Sequence, residues 1–400
     1  MSITADVIQK DKQFSVPVAG RPDFVLERGQ GVTVFDADGK AYTDWVAGIA
    51  VNSLGYGDKE LMEVVASQMS TGLIHVSGLY HTRALTDLAE LLCANSFADK
   101  AYFCNSGAEA NEGALKFARK LAYVNERMNK TKVVSFSKAF HGRTLGALSV
   151  TPTAKYQTPF KPMVPGAVVG EFDNVDSAKE LIDQDTAAVI VEPIQGEGGI
   201  NLASAEFLRA LRQLCDEHEA VLIFDEIQCG LGRTGELWAH TSSGVSPDIM
   251  TLAKPLAGGL PIGAILVTEE VGSAMQPGDH GSTFSGGAVV MRAGEMVLKR
   301  VLSPGFLEHV KEVGEYLLER LAEINSPHIT DVRGRGLMAA IELSVPPADI
   351  VAQGYEHGLL LVNSGPDAIR FIPPLIIEKQ HVDELVEKLT HILGGIHDEN

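Results

Sequence analysis

The sequence predicts an α/β protein in which a mostly parallel sheet, covered by helices on both faces, is joined to a smaller α+β unit. Three observations carry this. The chain has 400 residues, more than one small core organises, with 45% hydrophobic and 21% charged residues, the balance of an ordinary globular protein. From about residue 60 to residue 270, short apolar runs alternate with helix-spaced stretches, the pattern of strands buried on both faces. At Ser303-Pro304-Gly305 that alternation stops and a shorter mixture of helices and strands follows.

In chain order, residues 24–26 and 32–35 alternate as strands, and Asp38-Gly39 supplies a hairpin turn before a third strand at 41–45. This opening piece reads as a small antiparallel unit. Apolar residues recur at helical spacing over 61–69 and 84–94. Strand-like runs follow at 100–103, 132–136, 188–191, 221–224, 249–252 and 263–267, each bounded by Gly, Pro or acidic residues. A helix over 291–302 comes next. Beyond it are a helix (306–324), a strand (336–343), a helix (348–357), a strand (359–362) and a helix (381–393). The expected division is an N-terminal segment 1–60, a large domain 61–303 and a C-terminal domain 304–400.

Charge and composition narrow the function. Lys and Arg number 33 against 52 Asp and Glu, a formal net charge of −19. A surface that acidic repels phosphate backbones and anionic lipid, so no nucleic acid and no membrane partner is expected. No apolar run approaches the roughly 18 residues a membrane span requires. Residues 1–10 carry neither an apolar nor an Arg-rich leader pattern, so a cytoplasmic protein is expected. Cys93, Cys104, Cys215 and Cys229 form no CxxC pair, which points to reduced thiols and no metal.

In such sheets the chemistry lies where strands end. After 100–103 comes Asn105-Ser106-Gly107-Ala108, opening a helix to about residue 122; its unpaired N–H groups suit a phosphate, although an ordinary helix cap has the same look. After 132–136 comes Phe140-His141-Gly142-Arg143-Thr144, an aromatic face beside a carboxylate-binding arginine, or simply a solvated loop. After 188–191 comes the Gly-rich loop Glu192-Pro193-Ile194-Gln195-Gly196-Glu197-Gly198-Gly199, with two carboxylates. Asp225 ends an apolar strand, where a carboxylate needs a cation or hydrogen-bond donors. Lys254 lies in an apolar, Gly-flanked turn that would disfavour its charged form and leave a nucleophilic amine, although a lone lysine is as readily a solvated charge. The run Gly230 to Gly235 matches GxGxxG, but it neither follows its strand directly nor opens a helix, so dinucleotide binding is not expected.

Each signal is ambiguous alone. Together, an anion-binding helix start, an aromatic plate, a buried acid and a desolvated lysine match the needs of pyridoxal phosphate. At these residues the sequence resembles the fold-type I pyridoxal-phosphate aminotransferases of the ω-amino (class III) group. The resemblance runs from about Gly31 to Ile376 and also includes Phe224-Asp225-Glu226-Ile227-Gln228, Gly281-Ser282-Thr283-Phe284 and Arg370-Phe371-Ile372-Pro373-Pro374. It implies a seven-stranded, mostly parallel sheet, a small domain built from both chain ends, and a homodimer with shared active sites.

The resemblance also implies roles. Lys254 would hold pyridoxal 5′-phosphate as a Schiff base and shuttle the proton. Asp225 would pair with the pyridinium nitrogen. Gln228 would reach the ring hydroxyl, with Glu226 and Ile227 completing that cofactor-binding run. Phe140 would stack on the ring. Gly107 and Ala108 would bind the phosphate, joined by the partner subunit's Thr283. Arg143, with Ser282 nearby, would bind the substrate α-carboxylate. Arg370 would take the far carboxylate of 2-oxoglutarate, and Glu197 would shield it while the amino donor is bound.

Within the group the chain is most similar to the branch whose amino donor is N2-acetylornithine. Relatives acting on ornithine, aligned through Gly55, place Tyr where this chain has Ile49, and an apolar Ile suits an acylated α-nitrogen. Ornithine, succinylornithine, 4-aminobutyrate and N-succinyldiaminopimelate stay open as donors. One departure stands out: the group's His-x-His-Pro run after Gly55 is Tyr56-Gly57-Asp58-Lys59 here.

Overall fold

A computed structural model of the chain describes residues 2–396; Met1 and residues 397–400, the tips of the outermost predicted segments, lie outside the described residues. The centre is a seven-stranded sheet. Its order is Lys100–Cys104, Gly263–Val267, Ile249–Leu252, Val221–Asp225, Thr186–Val191, Lys132–Phe136 and Ala167–Gly170. Gly263–Val267 runs antiparallel to both neighbours and the other pairings are parallel.

Successive side chains on these strands point to opposite faces, and both faces are covered. Val133, Ile190 and Ile223 pack with Ala110, Ala114 and Leu115 of the helix Gly107–Val124. Val134, Val189, Leu222 and Phe224 pack on the other side with Ala178 of Val175–Leu181 and with Phe207, Leu208 and Leu211 of Ala205–Glu217. That is why the strands read as unbroken apolar runs: Thr186–Val191 and Val221–Asp225 are buried throughout. The Ala167–Gly170 strand escapes sequence reading because it is a four-residue edge behind Pro165-Gly166.

A second, antiparallel sheet has the order Ile329–Arg335, Met338–Leu343, Ala368–Phe371, Val362–Ser364. Helices Phe306–Ala322 and Lys379–Gly394 bury Val313, Leu317, Leu385 and Leu389 against its Ala339, Ile341 and Ile369. Two expectations need correcting here. The strand expected over 336–343 is the second arm of a hairpin that turns at Gly336, where φ is +57°. The strand expected over 359–362 is split: Leu359–Leu360 pairs parallel with Ala41–Asp44, and Val362–Ser364 pairs with Ala368–Phe371. The N-terminal strands Leu26–Gln30, Thr33–Asp36 and Ala41–Asp44 therefore form a sheet completed by a C-terminal strand, and Trp45 is fully buried in the C-terminal core. A helix over Ile3–Phe14, which periodicity did not reveal, precedes them with no buried residue.

The Gly230–Gly235 stretch is a run of turns with positive φ at Leu231, Gly232 and Gly235; it opens no helix, and the next element is the one-turn 3-10 helix Thr241–Ser243. No helix among the described residues is long and apolar enough to cross a membrane.

Candidate active site

Parallel strands end on one edge of the sheet, so that edge gathers the loops and helix starts that succeed Cys104, Phe136, Val191, Phe224 and Leu252. Asp225 pairs in register with Thr251 on the neighbouring strand, which brings Lys254 of the next turn to the same edge. The result is a cavity of about 260 Å³ lined by Gly107, Ala108, Phe140, His141, Gly142, Arg143, Glu192, Asp225, Ile227, Gln228 and Lys254.

Lys254 is half-buried and opens onto this cavity. Burial, reinforced by the nearby Arg370 cation, lowers its amine from the ordinary lysine value. Asp225 is nearly inaccessible and its carboxylate accepts three hydrogen bonds: from Asn111 Nδ2 (2.8 Å), from His141 Nδ1 (2.8 Å) and from the Ile227 amide (3.1 Å). Asn111 is itself fixed, donating to the His141 carbonyl at 2.7 Å and accepting from Thr251 Oγ1 at 2.8 Å. Burial opposes the charged form of His141, but its bond to Asp225, with the Asp225 and Glu192 charges, outweighs this and raises its pKa. The other ring nitrogen of His141 is buried without a partner among the described residues.

Ser106 caps the helix Gly107–Val124, its Oγ accepting from the Glu109 amide at 3.2 Å, so the positive end of an 18-residue helix faces the cavity at Gly107 and Ala108. Phe140 forms one wall. The Arg143 guanidinium lies 3.4 Å from the centre of the Tyr156 ring and 5.6 Å from that of Phe140.

Beside the cavity, Arg370 is 1% exposed and its Nη1 donates to Glu197 Oε1 (2.7 Å), the Gly196 carbonyl (2.9 Å) and Gln228 Oε1 (3.0 Å). Burial pushes the Glu197 carboxyl up, but the Arg370 and Lys254 cations more than offset it and hold it below the ordinary value.

The structure thus brings Gly107, Ala108, Phe140, Arg143, Asp225, Ile227, Gln228 and Lys254 to one cavity, with Arg370 and Glu197 joined to it through Gln228. Glu226 is turned away: its carboxylate accepts from the Ala239 amide, the His240 amide and His240 Nδ1, and it does not line the cavity. Ser282 accepts from Asn105 Nδ2 at 2.7 Å, and neither it nor exposed Thr283 lines the cavity within one chain. Ile49 does not line it either. It stands in a left-handed turn, Ala47 to Ala50, that packs on the segment beginning at Lys254.

Sequence reading assigned no role to Asn111 or His141, and to Glu192 only that of one of two loop carboxylates suited to acid/base work or to pairing with an arginine. His141 stands between Phe140 and Arg143, Asn111 three residues beyond the Asn105-Ser106-Gly107-Ala108 helix start, and only the folded sheet brings them to Asp225.

A phosphorylated pyridine aldehyde fits these groups. The helix start would suit its phosphate, the aromatic wall its ring, the buried carboxylate its nitrogen, and the amine of lowered pKa its carbonyl.

Comparison with known proteins agrees. The family model for class-III aminotransferases matches residues 16–393. The acetylornithine aminotransferase, mitochondrial, of Alnus glutinosa is 46% identical over 98% of this chain and 89% of its own length. The acetylornithine aminotransferase of Methanocaldococcus jannaschii is 43% identical over 97% of this chain and 98% of its own. Among solved structures, an ornithine aminotransferase from Toxoplasma gondii, described with partial occupancy of PLP at its active site, superposes with a TM-score of 0.95 at 30% identity, covering 100% of this chain and 96% of that one.

Proposed function

This chain belongs to the class-III aminotransferases, enzymes that transfer amino groups with pyridoxal 5′-phosphate, and from that premise we propose its substrates and the roles of its residues. The amino donor is N2-acetyl-L-ornithine and the acceptor is 2-oxoglutarate. The products are N-acetyl-L-glutamate 5-semialdehyde and L-glutamate, a step of arginine metabolism.

The observation that carries this reading is the Glu197–Arg370 pair at the cavity edge. A buried arginine covered by a removable glutamate can serve two substrates in turn. With Glu197 in place the pocket accepts a donor whose far end bears no carboxylate; with Glu197 withdrawn, Arg370 binds the second carboxylate of 2-oxoglutarate. The activity named for these relatives favours the acetylated donor over free ornithine.

Bound, the cofactor supplies a carbonyl that takes up the amino group and a conjugated ring that absorbs an electron pair. Lys254 Nζ is the nucleophile for that carbonyl and moves a proton at the amino-bearing carbon. Asp225, held by Asn111 and His141, keeps a proton on the ring nitrogen. Gly107 and Ala108 bind the phosphate through the helix start, Phe140 covers the ring, Gln228 reaches the ring hydroxyl, and Arg143 holds the α-carboxylate.

The active unit in this reading is a homodimer in which the partner subunit's Thr283 adds to the phosphate site. Four free cysteines suit a reducing compartment, the cytoplasm.

The test is to mix the cofactor-loaded protein with excess N2-acetylornithine, without keto acid, and follow the visible band. Bleaching, with colour restored by 2-oxoglutarate, is the expected result. A higher kcat/KM with ornithine, succinylornithine, 4-aminobutyrate or N-succinyldiaminopimelate would replace the donor. Turnover with no keto acid at all would replace transamination by a mutase or racemase reaction.

A further inference from the structure

We propose that Glu192 is a positioning residue: its carboxylate ties the amide of Phe140, in the cavity wall, to the amide of Gly196, the residue whose carbonyl holds Arg370, so that Arg370 stays aimed at an acceptor carboxylate after Glu197 withdraws. This rests on the transaminase reading and names the group that makes its two-substrate switch workable.

Glu192 follows the Thr186–Val191 strand and is almost fully buried. Its Oε2 accepts from the Phe140 amide at 3.1 Å and its Oε1 from the Gly196 amide at 3.2 Å. A buried carboxylate needs such donors, and two amides facing two oxygens use its acceptor capacity symmetrically.

The consequence lies on the far side of Gly196. Its carbonyl accepts from Arg370 Nη1 at 2.9 Å and from Ser364 Oγ at 2.7 Å. Gly196 is also pressed against Gln228, since a Cβ at position 196 would come within 2.4 Å of that side chain. Arg370 Nη1 carries two hydrogens but has three acceptors in reach: Gly196 O, Gln228 Oε1 and Glu197 Oε1. Gly196 and Gln228 are buried, whereas Glu197 is 31% exposed. Glu197 is therefore the acceptor that can leave while both hydrogens keep partners.

If nothing fixed the Gly196 carbonyl, the guanidinium would follow Glu197 outward and the dicarboxylate would meet a misaligned fork. Glu192, holding the Gly196 amide, and Ser364, holding its carbonyl, together supply the fixed point. An amide in place of the Glu192 carboxylate offers one acceptor oxygen and sets an NH₂ against the remaining backbone N–H, so one arm of the clamp is lost.

The experiment compares the cofactor-loaded wild type with Glu192→Gln at pH 8, using glutarate, an unreactive five-carbon dicarboxylate, as calorimetric probe. The glutarate Kd is expected to rise about tenfold in the variant, and KM for 2-oxoglutarate with it, while KM for the amino donor shifts about twofold. A glutarate Kd within twofold of wild type, in a variant that still binds cofactor, overturns the proposal. The same comparison in a Glu197→Ala background separates the targets. Persistence of the tenfold effect places the clamp on Arg370, and its disappearance assigns it to Glu197 and overturns the proposal as stated.

If Glu192→Gln does not fold, Ser364→Ala removes the other bond to the same carbonyl. It is expected to weaken glutarate in the same direction by a smaller factor, and no weakening there overturns the proposal. Failure of the transaminase reading has a different signature: wild-type protein that transfers no amino group to 2-oxoglutarate under any donor.

Discussion

Two lysines have their amines lowered by burial, Lys254 and Lys130, and the difference between them shows what a shifted pKa is worth alone. Lys130 donates to the carbonyls of Thr186 and His218, so its ammonium is a structural tie. Lys254 opens onto the cavity beside Asp225, where suppressed charge means nucleophilicity. Lys254→Ala is expected to leave the far-UV circular dichroism unchanged and to lower kcat by at least about 10²–10⁴-fold, since nucleophile and proton carrier go together. Near-wild-type turnover would dismiss the assignment. Glu192 yields a pH prediction. Burial lifts its carboxyl, His141 opposes and Asp225 reinforces the lift, and the pKa reaches about 7 against an ordinary 4.5. Between those values the folded chain holds a proton that the unfolded chain has released. The group's contribution to stability is therefore complete below about pH 4.5 and is lost as pH rises through about 7. Lys254, Asp225, His141 and Cys229 are the charged or titratable groups that feel it, and Glu192→Gln removes Glu192 alone from that set. The melting-temperature difference, variant minus wild type, should grow from pH 5 to pH 8; a flat difference refutes the shift. Lys254 and Asp225 were legible in the sequence because each ends a strand, a position that periodicity can locate. Asn111 and His141 were not, because their partner Asp225 lies 114 and 84 residues away and no local pattern encodes that meeting.

At the scale of elements, legibility followed the strength of the pattern. The fully buried strands Val221–Asp225 and Ile249–Leu252 were plain, whereas Ala368–Phe371 was read only as a motif, because Arg370 interrupts an otherwise apolar run. The segment after Ala41–Asp44 was opaque for a different reason. Ala47, Gly48, Ile49 and Ala50 have φ of +50°, +64°, +65° and +62°, a left-handed turn that three of the four residues disfavour. Strain of this kind persists only where the surroundings over-determine it. Asp44 is the device: its Oδ1 accepts from the Val46 amide (2.8 Å) and the Ala47 amide (2.9 Å), and its Oδ2 accepts from Tyr56 Oη at 2.6 Å. Tyr56 is the residue at which the chain departs from its group's pattern, and its hydroxyl braces the strained turn instead. Tyr56→Phe should cost about 1–3 kcal/mol, the worth of a hydrogen bond to a charged group. Thermal melts of the loaded enzyme should show the loss together with a raised KM for the amino donor, because the turn packs on the Lys254 segment. Unchanged stability and KM would mean that Asp44 alone suffices.

For the whole molecule, the distribution of exposed apolar groups matters more than the net charge of −19. Ile74, Leu79 and Tyr80 are exposed, and Phe284, 71% exposed, lies 5.5 Å from His75 between ring centres. Phe284 follows Ser282 by two residues, and Asn105 holds Ser282 next to the cap of the helix that faces the cavity. A bare apolar surface at the rim of an active cavity suits a second copy of the chain related by a twofold axis. In that arrangement Thr283, which is exposed and does not line its own chain's cavity, would serve the partner's. The prediction is a complementation. Lys254→Ala lacks the nucleophile, and Thr283→Glu sets a carboxylate against the phosphate, so each alone should be inactive. In a mixed dimer one site carries both lesions and the other carries none. Random pairing makes half the dimers mixed, each with one sound site of two, so co-expression should restore about a quarter of wild-type activity. Activity no higher than the sum of the two variants alone would show that each chain furnishes its own Thr283, and a monomer in sedimentation would remove the shared site altogether.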